Sequence, residues 1–289
     1  MPRDFSRREI IKLASLLSMT SAFPALLSGP ERIADNPDAQ NVLIVVFDTM
    51  SSKHLSLYGY QRDTTPNLNR IAERGFVYRN HYASAEFTTP GTASLLTGVY
   101  PFTHRAIQLD FDLVAPEFER QNIFTTFDDY HRTAYSHNRL ANALLLQFQQ
   151  HLEGYKDRES LFLKSNLISG SVFSKDSDAA LLSWSRVLTT EGDGYSNSLF
   201  ISRIMEDFDD LYVKRVGKDF PRGVPHNHGD YFLLEAATDW MQEQIVNLPQ
   251  PFLGYFHMLP PHAPYLTRKD FHKRFLNDGY QPIDKPEHY

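Results

Sequence analysis

Asn41-Val42-Leu43-Ile44-Val45-Val46-Phe47-Asp48-Thr49 is the stretch on which the fold turns. Val42 to Phe47 is an unbroken apolar run rich in β-branched side chains. It shows no polar alternation, so the spacing predicts a strand buried on both faces. Such strands sit in parallel sheets with helices on either side. Asp48 follows directly, at the carboxyl end of the strand, where open α/β sheets collect their ligands. A carboxylate there is either a metal ligand or a turn or helix-cap residue.

Outward from this strand, helical and extended signals alternate. Thr65-Pro66 predicts a helix start, with Thr65 as cap and Pro66 at the first helical position. Leu68, Ile71 and Ala72 share one face, and Gly75 is the expected stop. Phe76 to Tyr82 reads as a strand, Pro90 to Thr97 as a short helix closed by Gly98, Thr133 to Ser136 as a strand and Leu140 to His151 as a helix. From Tyr231 to Val246, residues Leu233, Ala236, Ala237, Trp240, Met241 and Ile245 fall at helical spacing behind Asp230 as cap. Phe252 to Met258 is a second buried strand. This alternation predicts an α/β sandwich with a largely parallel central sheet flanked by helices. Residues 152–227 are rich in charge and serine and weak in periodicity, apart from a helical pattern at Leu199 to Val213, and read as an insertion.

Thr88-Thr89-Pro90 places two hydroxyls at a helix start, where free amides and the helix dipole favour an anion. They are either simple caps or a nucleophile, and a threonine hydroxyl needs a metal or a base to attack. Elsewhere, Pro225-His226-Asn227-His228-Gly229-Asp230 offers two histidines that either bind a metal or merely precede a helix. His257 lies in an apolar strand, as a core histidine or a site residue. His104 fits a solvent-facing loop better than a pocket rim. Asp110 and Asp112 flank Phe111 as on a half-exposed strand. His137 beside Asn138 is the remaining candidate for a substrate contact.

The composition bounds the classes. In 289 residues there are 29 Lys and Arg against 35 Asp and Glu, a formal charge of −6, with no cysteine. Disulfide frameworks, thiolate metal sites and thiol nucleophiles are excluded. The mild acidity opposes binding to nucleic acid. No stable protein partner is expected. At the start, Ser6-Arg7-Arg8-Glu9-Ile10-Ile11-Lys12 precedes an uncharged, serine-containing stretch from Leu13 to Pro30. Residues 1–30 thus read as a twin-arginine export signal, or as a retained N-terminal membrane anchor, and 31–40 as a linker. The expected partner in export is the twin-arginine translocase, and the expected location is periplasmic or extracellular.

Several of these pieces occur in one order. Asn41 to Thr49, Leu57-Tyr58-Gly59-Tyr60, Thr65-Pro66-Asn67-Leu68, then Pro90, Ala93-Ser94-Leu95-Leu96-Thr97-Gly98 and Tyr100-Pro101 follow one another as in sulfatases. Pro251-Phe252-Leu253 with His257, and Pro261-His262-Ala263-Pro264-Tyr265, resemble a later sulfatase segment. The chain resembles the sulfatase N-terminal domain of the alkaline phosphatase superfamily, with residues 41–289 as the N-terminal part of the catalytic domain.

That resemblance implies a metal-dependent hydrolase of sulfate or phosphate esters, acting on a small molecule or glycan. The cofactor would be a divalent ion: Ca, Mg, Mn or Zn. Asp48 matches the first of two adjacent metal-binding aspartates, and Thr49 stands at the second. Thr88 matches the nucleophile, which also touches the metal, but threonine cannot become formylglycine, so this is a non-formylglycine variant. Thr92 replaces the signature arginine. Asn138 falls near an active-site lysine. His262 matches a histidine that contacts the transferred group. With His137 and His257, these complete the expected substrate contacts. A threonine nucleophile also resembles that of phosphoryl transferases and phosphodiesterases of the superfamily. A non-catalytic sulfatase-like binding protein or an inactive fragment is the further alternative. The superfamily's Asp-His-Gly metal motif would follow the Pro-His-Ala-Pro-Tyr segment, and no Asp-His-Gly occurs in the chain. The expectation is a domain truncated at its C-terminus.

Overall fold

The computed structural model describes residues 39–108, 112–163, 211–227 and 230–281. The described residues from Gln40 onward belong to one compact unit. The leader, the linker up to residue 38, Asp110, His228 and most of the Leu199 to Val213 pattern lie outside the described residues. The described end of that pattern, 211–213, is helical.

The elements run β1 (Val42–Phe47), α1 (Pro66–Ala72), α2 (Thr88–Thr97), α3 (Pro101–His104), α4 (Ile123–Thr126), β2 (His131–Ser136), α5 (Arg139–Gln147), β3 (Gly154–Tyr155), β4 (His226–Asn227), β5 (Asp230–Tyr231), α6 (Leu234–Asn247), β6 (Phe252–Met258) and α7 (Lys269–His272). The main sheet has the order β1-β6-β2-β3, and every pairing in it is parallel. The chain is therefore mixed α/β with a parallel central sheet and flanking helices.

β6 holds the centre. All of its residues are buried, as its near-continuous apolar sequence requires. Gly254 lies within it because space demands it. A Cβ there would sit 2.9 Å from Phe256 Cε2 and 3.2 Å from Leu43 Cδ1. The main core joins Ala93 and Leu96 of α2, Phe124, Leu144, Leu145 and Phe148 to Leu253 and Tyr255 of β6. Each large apolar side chain fully buried there contributes about 1.5–3 kcal/mol relative to leaving it exposed. A second cluster packs Tyr135, Phe256 and Met258 beneath Ala237 of α6.

The register aligns the carboxyl ends of three strands. Phe47 lies beside Met258, and Ser136 beside His257. The ladder continues one residue further, with Asp48 N donating to Met258 O (3.0 Å) and His137 N to His257 O (3.0 Å). Asp48, His257 and the His137-Asn138 pair are thereby brought to one edge.

Several local expectations change. Phe76 to Tyr82 forms no strand; Phe76 is 97% exposed, and the segment pairs with no strand of the described sheet. Thr65 precedes α1 but makes no side-chain cap bond, because its hydroxyl pairs with Ser56 Oγ at 2.9 Å. That helix stops at Ala72, short of Gly75. Asp230 does not cap α6, which starts at Leu234 behind Leu233. It sits in β5, drawn to Arg158 Nη2 at 2.7 Å. Asp112 lies outside any strand, and its Oδ2 accepts from the amides of Ile107 and Gln108. Among the described residues, no helix is long and apolar enough to cross a membrane.

Candidate active site

A cavity of about 720 Å³ opens at the carboxyl ends of β1 and β6. Asp48, Thr49, Thr88, Thr92, His257 and His262 all line it. Each is delivered by a simple local cause. Asp48 is the first residue past β1. Thr49 turns the chain off the strand with φ 55°, a left-handed conformation rare for a β-branched residue. Strain of this kind costs about 1–3 kcal/mol and gathers at functional sites.

Thr88 is the first residue of α2, and the N-cap is Phe87, with no side-chain cap bond. Gly91 is the first amide to bond back, to Phe87 O at 3.1 Å. The simple-cap explanation of Thr88 therefore does not describe this helix. Its hydroxyl instead lies 3.4 Å from Asn138 Nδ2. The far end of α2 is closed by Gly98 in the left-handed region, at φ 73°.

His104 anchors α2 from below. It is fully buried rather than solvent-facing. Its Nδ1 accepts from Ala106 N (3.2 Å), so Nε2 carries the proton and donates to Ser94 Oγ (2.9 Å). Burial holds this ring below the ordinary histidine pKa, in keeping with a neutral structural role.

Asp48 is nearly buried, and its Oδ2 accepts from Asn138 Nδ2 at 2.5 Å. His257 Nε2 stands 3.8 Å from the same oxygen. That is beyond hydrogen-bond range. Burial pushes the Asp48 carboxyl up, but His257, the Asn138 amide and His262 outweigh it, and the group ends below its ordinary pKa. It is a carboxylate at neutral pH.

His257 is buried, with Nδ1 3.1 Å from the Tyr255 hydroxyl and no partner on Nε2. Tyr255, a buried residue of β6 that the sequence does not single out, orients this ring. His262 donates from Nδ1 to the Ala263 carbonyl (2.7 Å), since a carbonyl can only accept. Its Nε2 therefore carries a lone pair when neutral and a donor only when protonated.

His137 is not brought to the cavity. Its ring packs at 4.7 Å from Phe232 and 5.3 Å from Tyr135, and neither nitrogen has a partner. Burial, helped by Arg158 and His257, pushes it down to about 3. Neutral when folded and free to protonate at ~6.5 when unfolded, it adds stability above pH 6.5 that is lost as pH falls toward 3. Between pH 6.5 and 5 the loss is about 2 kcal/mol. His137→Leu is expected to flatten the acid side of the stability curve by that amount, read from urea melts at pH 5 and pH 8. Parallel curves for both proteins would refute this.

Asp48 and Thr88 put two oxygens on the cavity, and His257 a buried, unpartnered nitrogen. These are donor types that a divalent ion accepts. They fit as one side of a shell. Asn138 does not join them, because its Nδ2 faces Asp48 as a donor. Among the described residues, no group of three or more His, Cys, Asp or Glu converges on a complete metal site. His226, in β4, pairs with Tyr231 and does not line this cavity.

The cavity's outer wall was not foreseen. His81, Tyr82, Glu86, Phe87, Leu95, Val99 and Tyr100 form it.

The sequence matches the Sulfatase family profile over residues 40–285. Mouse steryl-sulfatase is 33% identical over 89 residues, which cover 31% of this chain and 14% of that protein. The N-acetylgalactosamine-6-O-sulfatase of Bacteroides thetaiotaomicron is 32% identical over 83 residues, 27% of this chain and 16% of the relative. The multifunctional alkaline phosphatase superfamily protein PehA of Trinickia caryophylli is 36% identical over 74 residues, 24% and 14%. The matches thus span a small part of the relatives' length. A crystal structure of the phosphonate monoester hydrolase of Agrobacterium radiobacter aligns with a TM-score of 0.45 at 17% identity, over 78% of this chain and 42% of that one. With the family profile running from the strand that carries Asp48 past His262, the chain belongs to the sulfatase family.

Proposed function

We propose that this chain is part of an exported, metal-dependent hydrolase of sulfate or phosphate esters with Thr88 as nucleophile. One observation carries this: the Thr88 hydroxyl, free of cap duty at the start of α2, shares a cavity with ionised Asp48, His257 and His262. Asp48, Thr88 and His257 hold one side of a divalent ion, which when bound lowers the pKa of the hydroxyl and polarises the ester.

Thr88 Oγ1 forms a bond to sulfur or phosphorus as the bond to the leaving oxygen breaks. The hydroxyl proton passes to the Nε2 lone pair of His262. The resulting imidazolium donates to the non-bridging oxygens of the transferred group. An aryl oxide leaves as the anion; water then attacks sulfur or phosphorus of the Thr88 ester, one of its protons restores the Thr88 hydroxyl, sulfate or phosphate departs, and the His262 imidazolium releases its proton to solvent. The amides at the start of α2 face the same charge.

The apolar wall of Tyr82, Phe87, Leu95 and Tyr100 favours an aryl or apolar leaving group, in a small molecule or at the end of a glycan. Thr92, buried in the wall where the family signature carries arginine, supports a second reading. A site short of that cation suits phosphodiester cleavage or phosphoryl transfer as well as sulfate ester hydrolysis. Export through the twin-arginine translocase rests on Arg7-Arg8 and the stretch behind them.

Full-length protein tested on 4-nitrophenyl sulfate, 4-nitrophenyl phosphate and bis(4-nitrophenyl) phosphate is expected to hydrolyse at least one of them. EDTA should abolish the rate, and added Mn, Mg, Ca or Zn should restore it. Absence of chelator-sensitive hydrolysis on all three, with tight binding of a sulfated glycan, would establish a non-catalytic binding protein instead.

A further inference from the structure

We propose that Asn138 is a catalytic residue that acts on the nucleophile rather than on the substrate. It donates to the reacting oxygen of Thr88 while holding Asp48 beside it. This rests on the assignment of Thr88 as nucleophile.

The argument begins with the amide's orientation. Asn138 is the N-cap of α5, and its Oδ1 accepts from Leu140 N at 2.8 Å and Ala141 N at 3.2 Å. A carboxamide is planar, so fixing its oxygen on the helix fixes where its two N–H groups point. The amide nitrogen meets Asp48 Oδ2 at 2.5 Å and Thr88 Oγ1 at 3.4 Å. The flipped amide would set an oxygen against a carboxylate and an NH₂ against two amide donors, so it is excluded.

The backbone is held as well. Asn138 N donates to Ser136 Oγ (3.0 Å), whose hydroxyl donates to Asn138 O (3.1 Å). The residue is 5% exposed. This is a rigid, buried donor, oriented before any substrate arrives. A donor of this kind favours a threonine oxygen that is gaining negative charge over a neutral hydroxyl, at no cost in reorganisation. The 3.4 Å contact is long, as contacts to nucleophiles often are before substrate binds, and it shortens as charge develops. The same hydrogen bond occupies one lone pair of Thr88, which turns its own O–H away from Asn138. One side chain therefore caps a helix, aligns a metal-binding carboxylate and supports the nucleophile.

The test uses variants that keep the cap and lose the donor. Serine and aspartate both cap helices well, but neither supplies an N–H. In the full-length protein, Asn138→Ser is expected to lower kcat about 10²-fold on bis(4-nitrophenyl) phosphate or 4-nitrophenyl sulfate, the scale of losing one preorganised donor. KM should stay close to wild type and the protein should fold, with a melting temperature lowered by loss of the hydrogen bond to Asp48. Asn138→Asp should lose more, because it sets a second carboxylate against Asp48. Wild-type kcat in Asn138→Ser would overturn the proposal.

Thr88→Ala run in parallel separates the two claims. If it keeps full turnover, the nucleophile assignment fails; if it is inactive while Asn138→Ser is not, only the role of Asn138 fails. A measurement independent of turnover is the pair of Asn138 side-chain amide proton resonances. Thr88→Val should move one and Asp48→Asn the other, and resonances unmoved by both would also overturn the proposal.

Discussion

Thr88→Ala is expected to yield a folded protein whose turnover has fallen at least about 10³-fold, the residue of catalysis that survives loss of a nucleophile being binding and electrostatics alone. The fold has no reason to suffer. Thr88 makes no cap bond for α2, and alanine is the best helix former. Thr88→Ser, which keeps the hydroxyl, should retain measurable turnover. Wild-type protein quenched during turnover should carry the added mass of a sulfo or phospho group on the peptide containing Thr88. Full activity in the alanine variant, or the mass on another residue, would remove Thr88 from its role.

Phe124→Ala carries the largest expected loss of stability. The ring is fully buried, 6.2 Å from Phe148 and edge-on to Tyr255 at 6.4 Å. Its removal leaves a cavity between a flanking helix and the central strand, at a cost of about 3–5 kcal/mol. At roughly 2–4 °C per kcal/mol for a domain of this size, Tm should fall by about 6–20 °C. Phe124→Leu, which refills most of the space, should recover more than half of that. A Tm unchanged in the alanine variant would show that the packing of α4 on β6 does not bear on stability. The site would feel the defect through Tyr255, which abuts the ring and whose hydroxyl meets His257.

The frame of the fold was legible because its strongest signals are local. Val42 to Phe47 and Phe252 to Met258 read as buried strands since they show no polar alternation, and Gly98 ends α2 because glycine adopts φ 73° without the strain a Cβ brings. Failures came where a distant partner decides. Phe76 to Tyr82 has the composition of a strand but pairs with none of the described strands. Asp230 looks like a cap until Arg158, 72 residues away, claims it. His104 looks like a loop residue until Ser94 closes over it. At the site, Asp48, Thr88, His257 and His262 could be chosen one by one, whereas their meeting in one cavity depends on register between strands far apart in sequence. The direction of Asn138 follows from its capping bonds, which spacing does not report, and His137 one residue before it turns the other way into aromatic packing.

The placement of β6 between β1 and β2 also governs how the chain is made. β1 and β2 do not pair with each other; both pair with a strand that leaves the ribosome about 200 residues after β1. At 5–20 residues per second that delay is about 10–40 s. Through it β1 waits with both edges unsatisfied and an apolar sequence prone to pairing with another chain. Closure is then a single late event of high contact order. Nascent chains arrested before Phe252 should therefore be protease-sensitive and bound by holdase chaperones, and those arrested well beyond Met258 resistant.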